Sequence, residues 1–224
     1  MIFEHIKLDS LDFDLKSETQ DNGKRQYVTP SGVSYPSVTT VLSSYNKEGI
    51  TKWRARVGEV EANKISSQAS RRGTSLHTVC EKFLLNEMTD LKMQSMMPTT
   101  KELFLQVKGL LSEHIGKIYC LEQALYSDKL KIAGRVDCIA EWKGKLSVID
   151  FKSSSKLKTK GYIKNYFMQC SAYAEMFGEI TGMPIEDIVV AIAVEQEGKP
   201  QIFEEKKYGY LEELNSYIMN YENK

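Results

Sequence analysis

The strongest constraint on the fold is a change in residue pattern near position 118, after which apolar and polar residues alternate. Alternation with a period of two is typical of β-strands, so segments 118–127, 131–142 and 145–152 are predicted to form three successive strands. Lys143-Gly144 has the composition of a two-residue hairpin turn between the last two strands. Such a turn pairs residues whose numbers add up to 287.

This register brings two aspartates together. Asp137 is predicted to face Asp150, and Arg135 is predicted to face Lys152 on the same side of the sheet. Directly opposed side chains have Cβ atoms about 4.5 to 5.5 Å apart, so the two carboxylates repel each other unless a cation lies between them. The register rests on the turn length, because a three-residue turn would shift the pairing.

Two kinds of cation fit between these aspartates. Lys152 and Arg135 can neutralise them as ordinary salt bridges, which is a purely structural interpretation. A divalent metal is the catalytic interpretation, since carboxylate oxygens on rigid strands suit Mg²⁺ or Mn²⁺ and Lys152 can orient a water molecule. The residues alone leave both interpretations open.

Helical periodicity precedes and follows these strands. Helices are predicted at 38–44 with Ser37 as the cap, and at 53–67, 74–85, 101–115, 166–181 and 210–220; two more strands are predicted at 187–195 and 201–207. This order predicts one α/β (α+β) domain over residues 1–224, a small mixed sheet flanked by helices. Its parts are an irregular or hairpin-like N-terminal extension (1–35), a helical part (36–117) and the sheet with its flanking helices (118–224).

The charge of the chain is balanced overall but uneven along its length. Lys and Arg total 30, as do Asp and Glu, yet residues 23–174 hold 24 basic against 13 acidic residues. Segment 151–164 contains five lysines and no acid. Such a distribution favours a polyanionic partner, and a solvated lysine-rich loop is the alternative.

Cysteine spacing and hydropathy exclude other classes. The four cysteines, Cys80, Cys120, Cys138 and Cys170, lie too far apart for a zinc ribbon or an iron–sulfur framework, so buried free thiols and no iron–sulfur cluster are expected. The longest purely apolar run, 188–194, is shorter than the roughly 20 residues that cross a bilayer, so no membrane partner is expected. The acidic N-terminus lacks the apolar segment of a secretion signal, which predicts a cytoplasmic location.

Four short motifs follow one another in the chain. They are Gly-x-x-x-His at 73–77, Gly-x-x-Asp at 134–137, Asp-x-Lys with two following serines at 150–154, and Gln-x-x-x-Tyr at 169–173. Together with Tyr-Pro-Ser-Val-Thr at 35–39 and Trp53, they make the chain resemble the PD-(D/E)XK nuclease superfamily. Within it, the resemblance is to the RecB-like branch of phage and mitochondrial genome maintenance exonucleases. Val136 stands where the family often has proline, and the second acid is Asp150 rather than glutamate.

The resemblance implies a restriction-endonuclease-like core and a divalent metal, Mg²⁺ or Mn²⁺. Asp137, Asp150 and the carbonyl of Phe151 would bind this metal, and His77 would be a further ligand. Lys152 would position or deprotonate the attacking water. Phosphodiester hydrolysis needs such a water and compensation of the charge on the phosphoryl oxygens, which metal ions and a lysine provide.

Further residues are assigned supporting or DNA-binding roles. Glu122, at the start of the first predicted strand, matches an acid often found in the family and is expected behind the metal ligands, with an exposed strand position as the alternative. DNA contacts are expected from Ser37, Thr39, Arg71, Arg72, Arg135, Ser153, Ser154, Lys156, Lys158, Gln169 and Tyr173. Ser37 as a helix cap and Tyr173 as a core aromatic are the structural alternatives.

These features predict a metal-dependent DNA exonuclease that acts on single-stranded DNA or DNA ends, in DNA replication, recombination or repair, or in phage DNA metabolism. In a phage-encoded protein the location would be the host cytoplasm. A structure- or site-specific endonuclease on the same fold is one alternative. A non-catalytic nucleic-acid-binding or recombination adaptor is another, which the intact Asp137, Asp150 and Lys152 disfavour because binding alone needs no opposed carboxylates.

Overall fold

A small antiparallel sheet lies in the N-terminal part of the chain. The computed structural model describes residues 2–21 and 23–222. Strands β1 (Lys16–Thr19), β2 (Arg25–Val28) and β3 (Ser34–Pro36) pair in that order, and helix α1 (Val38–Ser43) follows directly. The hydroxyl of Ser37 accepts a hydrogen bond from the backbone N–H of Thr40, so Ser37 caps this helix as the sequence predicts.

The helical part contains one long helix where the sequence predicts a break. Its helices are α2 (Lys47–Val57), α3 (Glu59–Leu84), α4 (Asp90–Gln94) and α5 (Pro98–His114). The predicted interruption between residues 67 and 74 is wrong, because α3 runs for 26 residues through Gly73. A glycine inside a helix costs only about 1 kcal/mol, which packing against the sheet can offset. The boundary lies instead at Gly58, whose φ of +84° ends α2.

A five-stranded sheet forms the centre of the protein. In spatial order its strands are β4 (Ile115–Ser127), β5 (Ile132–Trp142), β6 (Lys145–Ser154), β7 (Asp187–Val194) and β8 (Gln201–Lys206). Neighbouring strands are antiparallel, except that β6 and β7 run parallel. The predicted α/β fold with a small mixed sheet is confirmed.

The β5–β6 hairpin has the predicted turn and register. Lys143 and Gly144 have φ angles of +52° and +78°, which the two-residue turns of twisted hairpins require. Five residue pairs, from Trp142 opposite Lys145 to Cys138 opposite Ile149, follow the predicted sum of 287. The pairing ends there, so the two aspartates lie at the fork where the strands separate.

Beyond this fork β5 stays paired with β4, and β6 stays paired with β7. Arg135 lies opposite Ala124 of β4, and Lys152 lies opposite Ile192 of β7. The ladder between β5 and β6 ends at Cys138 opposite Ile149, so neither the predicted pair of Asp137 with Asp150 nor that of Arg135 with Lys152 belongs to it, and the predicted register fails beyond five pairs. The two strands separate because the sheet is twisted: β5 stays with its antiparallel partner while β6 continues along its parallel one.

Helices cover both faces of the sheet. Helix α6 (Lys164–Thr181), which connects β6 to β7, packs on one face with α7 (Tyr208–Glu222), and Phe167, Phe177 and Leu214 share a core there with Val136 and Ile139. On the other face α3 and α5 bury apolar side chains against Cys138, Ile149 and Phe151. Helix α3 therefore crosses directly over the strands that carry the two aspartates.

The remaining expectations concern the cysteines, the membrane and the domain limits. The four cysteines are free and buried, as predicted. Within residues 2–21 and 23–222, no helix has the length and apolar character needed to span a bilayer. The single domain over 1–224 and its division at residues 35 and 117 stay predictions, and Met1, Asn22 and residues 223–224 lie outside the described part of the chain.

Candidate active site

Helix α3 brings His77 into contact with Asp137 of β5. His77 Nδ1 lies 3.3 Å from Asp137 Oδ2 and 4.0 Å from Oε1 of Glu122 on β4. One ligand atom from each of these three residues lies within 4.8 Å of the other two. Two carboxylates and an imidazole at this spacing form a group that can hold a divalent cation.

Glu122 joins this cluster through a break in strand pairing. Its φ is +48°, a left-handed backbone conformation that is uncommon for residues other than glycine. The residues on either side of it pair with β5, whereas Glu122 itself does not. The predicted place at the start of the strand is wrong, because β4 begins at Ile115 and Glu122 lies in its middle. Sequence reasoning missed that its carboxylate lies among the candidate ligands, since no residue pattern reveals a left-handed glutamate.

Asp150 of β6 lies beside this cluster and is almost fully buried. Its Oδ1 accepts hydrogen bonds from Lys152 Nζ at 2.5 Å and from Gln169 Nε2 at 3.4 Å. Its Oδ2 is buried and makes no hydrogen bond in the described structure. Asp137 Oδ2 accepts the backbone N–H of Phe151 at 2.8 Å, which fastens β5 to β6 at the fork. A metal contact of the Phe151 carbonyl stays a prediction.

The electrostatics of the site favour additional positive charge. Burial raises the pKa of Asp150, to about 6, although the charge of Lys152 lowers it. Burial also acts to raise the pKa of Asp137, but the charges of Lys152 and His77 hold it below its ordinary value. For His77 the effect of burial is to lower the pKa, yet hydrogen bonds to Asp137 and Glu122 raise it to about 10. The carboxylates of Asp137 and Glu122 thus favour a proton on the imidazole of His77. A bound metal ion would displace this proton.

Lys152 is held in its charged form. Burial lowers the pKa of its ammonium group, but the charges of Asp150 and Asp137 act more strongly and hold that pKa above the ordinary value. Its Nζ also lies 5.2 Å from the centre of the Tyr166 ring, a cation–π distance. The side chain therefore donates hydrogen bonds in this site and is not a free base.

The donor set fits a divalent cation. Mg²⁺ and Mn²⁺ prefer carboxylate oxygens, and Mn²⁺ also accepts an imidazole nitrogen. The unsatisfied Oδ2 of Asp150 is the observation that tests this fit, because a buried carboxylate oxygen normally has a partner. Of the two side chains that the sequence offers to neutralise the aspartates, Lys152 contacts Asp150, whereas Arg135 is exposed and donates to the carbonyl of Glu122.

Two of the four motifs meet in the core beneath the site. Gly134 lies against Tyr173, where a Cβ atom at position 134 would come within 2.9 Å of the tyrosine hydroxyl. Tyr173 is buried, and its hydroxyl lies 3.5 Å from Nε2 of Gln169, the residue that contacts Asp150. The Gly-x-x-Asp and Gln-x-x-x-Tyr motifs are therefore parts of one packed unit.

The residues predicted to contact DNA differ in accessibility. Thr39, Arg71, Arg135, Lys156 and Lys158 are exposed, Arg72, Ser153 and Gln169 are partly buried, and Ser37, Ser154 and Tyr173 are buried. The buried three have structural contacts: Ser37 caps α1, Ser154 donates to the carbonyl of Lys156, and Tyr173 packs on Gly134. Their DNA contacts stay predictions.

The lysine-rich loop after β6 divides into two halves. Lys160 forms an ion pair with Glu205 of β8 at 2.5 Å, and Lys164 pairs with Glu213 of α7. Lys156 and Lys158 are in no ion pair within residues 2–21 and 23–222. The half of the loop nearest to Lys152 therefore keeps its positive charge.

Comparisons with known proteins point to one family. Residues 48–218 match the model of the PD-(D/E)XK nuclease superfamily. Mitochondrial genome maintenance exonuclease 1 of Xenopus tropicalis is 28% identical over 179 residues, which are 75% of this chain and 49% of that protein. The protein of the same name from Homo sapiens is 31% identical over 149 residues, 62% of this chain and 42% of that protein. This chain thus spans about half, or less, of the length of these curated relatives.

A more distant likeness exists to a solved structure, the crystal structure of SSO0001. The TM-score is 0.37 and the identity 14%, with 81% of this chain and 83% of that chain covered. A likeness at this level carries no argument about function.

Proposed function

The chain belongs to the PD-(D/E)XK nuclease superfamily, and from this premise we propose that it is a metal-dependent DNA exonuclease acting on single-stranded DNA or DNA ends. One observation carries the proposal: a buried carboxylate oxygen, Asp150 Oδ2, has no hydrogen-bond partner beside the cluster of His77, Glu122 and Asp137. Leaving such an atom unpaired costs free energy that a bound cation would recover.

The proposed metal is Mg²⁺ or Mn²⁺, held by His77, Glu122, Asp137 and Asp150. When bound, it would supply an activated water and offset negative charge on the phosphoryl oxygens. Lys152, which the two aspartates keep charged, would orient this water or stabilise the developing negative charge. Of the two roles expected from the sequence, positioning the water agrees with this charge. A metal bound at the two aspartates would offset the charges that raise the pKa of Lys152, so deprotonation of the water stays the second proposed role.

The protein's own side chains would hold this arrangement in place. Gln169 donates to Asp150 Oδ1, the same oxygen that Lys152 contacts, and so limits how far that carboxylate can turn. The hydrogen bond from the Phe151 N–H restrains Asp137 in the same way. The exposed Lys156 and Lys158 would contact the DNA backbone beyond the cleaved phosphate.

The wider role follows from the activity. We propose a place in DNA replication, recombination or repair, or in phage DNA metabolism, because these processes consume single strands and DNA ends. The cytoplasmic location, or host cytoplasm for a phage protein, stays a prediction. The curated relatives are by their names mitochondrial proteins.

One assay tests the proposed activity against its alternatives. The purified protein is incubated with Mg²⁺ or Mn²⁺ and linear single-stranded, linear duplex or circular single-stranded DNA, with the linear substrates labelled at either end. An exonuclease shortens linear strands from an end and leaves the circle intact. Opening of the circle would identify an endonuclease, and binding without cleavage with either metal would identify an adaptor; either result overturns the proposal.

A further inference from the structure

A groove lies beside the candidate active site, where the parallel strands β6 and β7 end. Its volume is about 380 Å³, and it is lined by α3, the start of α5 and the residue directly after β7. The polar residues that line it include Arg71, Arg72, Thr99, Thr100 and Glu195. In α/β proteins, ligands commonly bind outside the carboxyl ends of parallel strands.

The groove begins one residue from the catalytic lysine. Arg72 Nε donates to Ser153 Oγ at 3.4 Å, and Ser153 directly follows Lys152. A Cβ atom on Gly73 would lie 3.9 Å from the same serine hydroxyl, so helix α3 rests on this end of β6. Lys152 and Ser153 point to opposite faces of β6, so the groove lies on the α3 side of the strand. Helix α3 itself connects the groove to the site, because Arg72 precedes the candidate ligand His77 by five residues, about 7.5 Å along the helix axis.

The charge lining the groove is positive. Arg72, whose side chain is 16% exposed, pairs with Glu195 at 3.0 Å. Arg71 is exposed, donates to the carbonyl of Ser67 at 3.4 Å, and forms no ion pair within residues 2–21 and 23–222. Two guanidinium groups thus face one carboxylate. Each guanidinium has five donors in a planar fork, a geometry that matches phosphate oxygens.

Further hydrogen-bond donors come from the start of α5. This helix has 17 residues, begins with Pro98, and has no side chain capping its first turn. The backbone N–H groups of Thr99 and Thr100 therefore lack a capping acceptor, and their hydroxyls line the same groove. These groups supplement the arginines at the positive end of a helix dipole.

The far half of the lysine-rich loop is electrically neutralised. Along the lysine-rich loop towards α7, Lys160 and Lys164 are already paired with Glu205 and Glu213. A phosphate on that side would have to compete with these carboxylates. In the described part of the chain, unpaired positive charge near the site therefore lies on Lys156 and Lys158 of this loop and, in the groove, on Arg71.

We propose that this groove binds a backbone phosphate next to the one that is cleaved, with Arg71 and Arg72 as its cationic contacts. Glu195 competes with that phosphate for Arg72 and so weakens binding while keeping the guanidinium in place. The inference rests on the proposed nuclease function and extends it by naming a second phosphate subsite and the acid that tunes it.

The test measures affinity for single-stranded DNA without cleavage. A fluorescent oligothymidylate is titrated at several salt concentrations, without divalent metal, against Asp150→Asn protein that carries each further substitution. Arg71→Gln and Arg72→Gln should each lower the salt slope of log affinity by about 0.7, the value for one phosphate contact on a single strand. Glu195→Gln should tighten binding by up to about fivefold, because it releases a partly exposed ion pair.

Matched variants control for charge alone. Lys145→Gln removes a positive charge at the opposite end of β6, and Glu197→Gln removes a negative charge from the same turn as Glu195. If Arg71→Gln lowers the slope no more than Lys145→Gln, or Glu195→Gln tightens binding no more than Glu197→Gln, the groove is not a phosphate site.

The design separates the two proposals. Should Arg72→Gln fail to fold, Arg71→Gln and Glu195→Gln still decide the outcome. If the salt slopes do not change, although the wild-type protein with Asp150 intact cleaves DNA, the phosphate site in the groove is overturned and the nuclease function stands. No binding of the oligonucleotide by the Asp150→Asn protein itself would overturn both.

Discussion

The ring of Tyr173 occupies the space that a side chain at position 134 would need: a Cβ on Gly134 would lie 2.9 Å from both the hydroxyl oxygen and Cε1 of Tyr173. Helix α6 therefore approaches β5 closely only because residue 134 is glycine. Tyr173 in turn lies next to Gln169, which contacts Asp150. The contact between Gly134 of the Gly-x-x-Asp motif and Tyr173 of the Gln-x-x-x-Tyr motif therefore positions α6, which places Gln169 next to Asp150.

Gly134→Ala should destabilise the protein by about 1 to 3 kcal/mol, the usual cost of overpacking a core. Urea unfolding measures this free energy. Gly109→Ala is the matched control, because a Cβ on Gly109 in α5 meets no atom within 4 Å and alanine stabilises a helix by up to about 1 kcal/mol. Combining Gly134→Ala with Tyr173→Leu should recover part of the loss; equal stability of Gly134→Ala and wild type would contradict the contact.

Turn chemistry made the hairpin predictable from the sequence. Lys143-Gly144 adopts the left-handed φ angles that its composition indicates, and the register follows from the turn length over five pairs. Counting residues from the turn could not show where the pairing between β5 and β6 ends. The end of the pairing depends on the twist of the whole sheet, whose other strands come from elsewhere in the chain. The expected opposition of Arg135 and Lys152 is wrong for this reason.

Long-range packing explains what the sequence did not show at the site. The left-handed backbone of Glu122 has no residue signature, and it occurs where the ladder between β4 and β5 lacks one pair. Glu195, 123 positions from its partner Arg72, acquires its role only when β7 ends beside α3. The motifs identify the residues on each element, but tertiary structure decides which of them meet.

Replacing His77 tests the ligand set. His77→Gln should weaken Mn²⁺ binding at least about tenfold, because even groups that only support a ligand contribute that much, and should impair Mg²⁺-dependent cleavage. Isothermal titration calorimetry measures the affinity, and circular dichroism verifies the fold. His114→Gln, whose ring packs on Trp142 at the far end of the hairpin, should bind Mn²⁺ normally. Unchanged Mn²⁺ affinity in folded His77→Gln would remove His77 from the ligand set.

The two halves of the lysine-rich loop should differ in DNA binding. Neutralising Lys156 and Lys158 together should lower the salt slope for single-stranded DNA by up to about 1.4, since each phosphate contact contributes about 0.7. Neutralising Lys160 and Lys164 should change it less, because these lysines already pair with glutamates. Both double variants are compared in the Asp150→Asn background. Equal changes in slope would show that the ion pairs do not shield the second half.

The cysteines should be unreactive in the native protein. Burial raises the pKa of the Cys120 thiol to about 12, and burial also raises the pKa of Cys80, Cys138 and Cys170. Thiolate is the reactive form, so at pH 8 a thiol reagent such as dithionitrobenzoate should modify none of them rapidly. All four should react in guanidinium chloride. Rapid modification of any thiol in the native protein would contradict its burial.

The most direct test of the metal centre is the rate at which Asp150→Asn cleaves linear single-stranded DNA at saturating Mg²⁺. The substitution preserves the size of the side chain but removes the charge that the proposed metal needs. Asp187→Asn, at the opposite end of the parallel strand pair, is the matched control and should cleave at the wild-type rate. Folded Asp150→Asn should lose at least about a hundredfold in rate, because metal stabilisation of the transition state is worth several kcal/mol. A near wild-type rate for this variant would contradict the proposed metal centre.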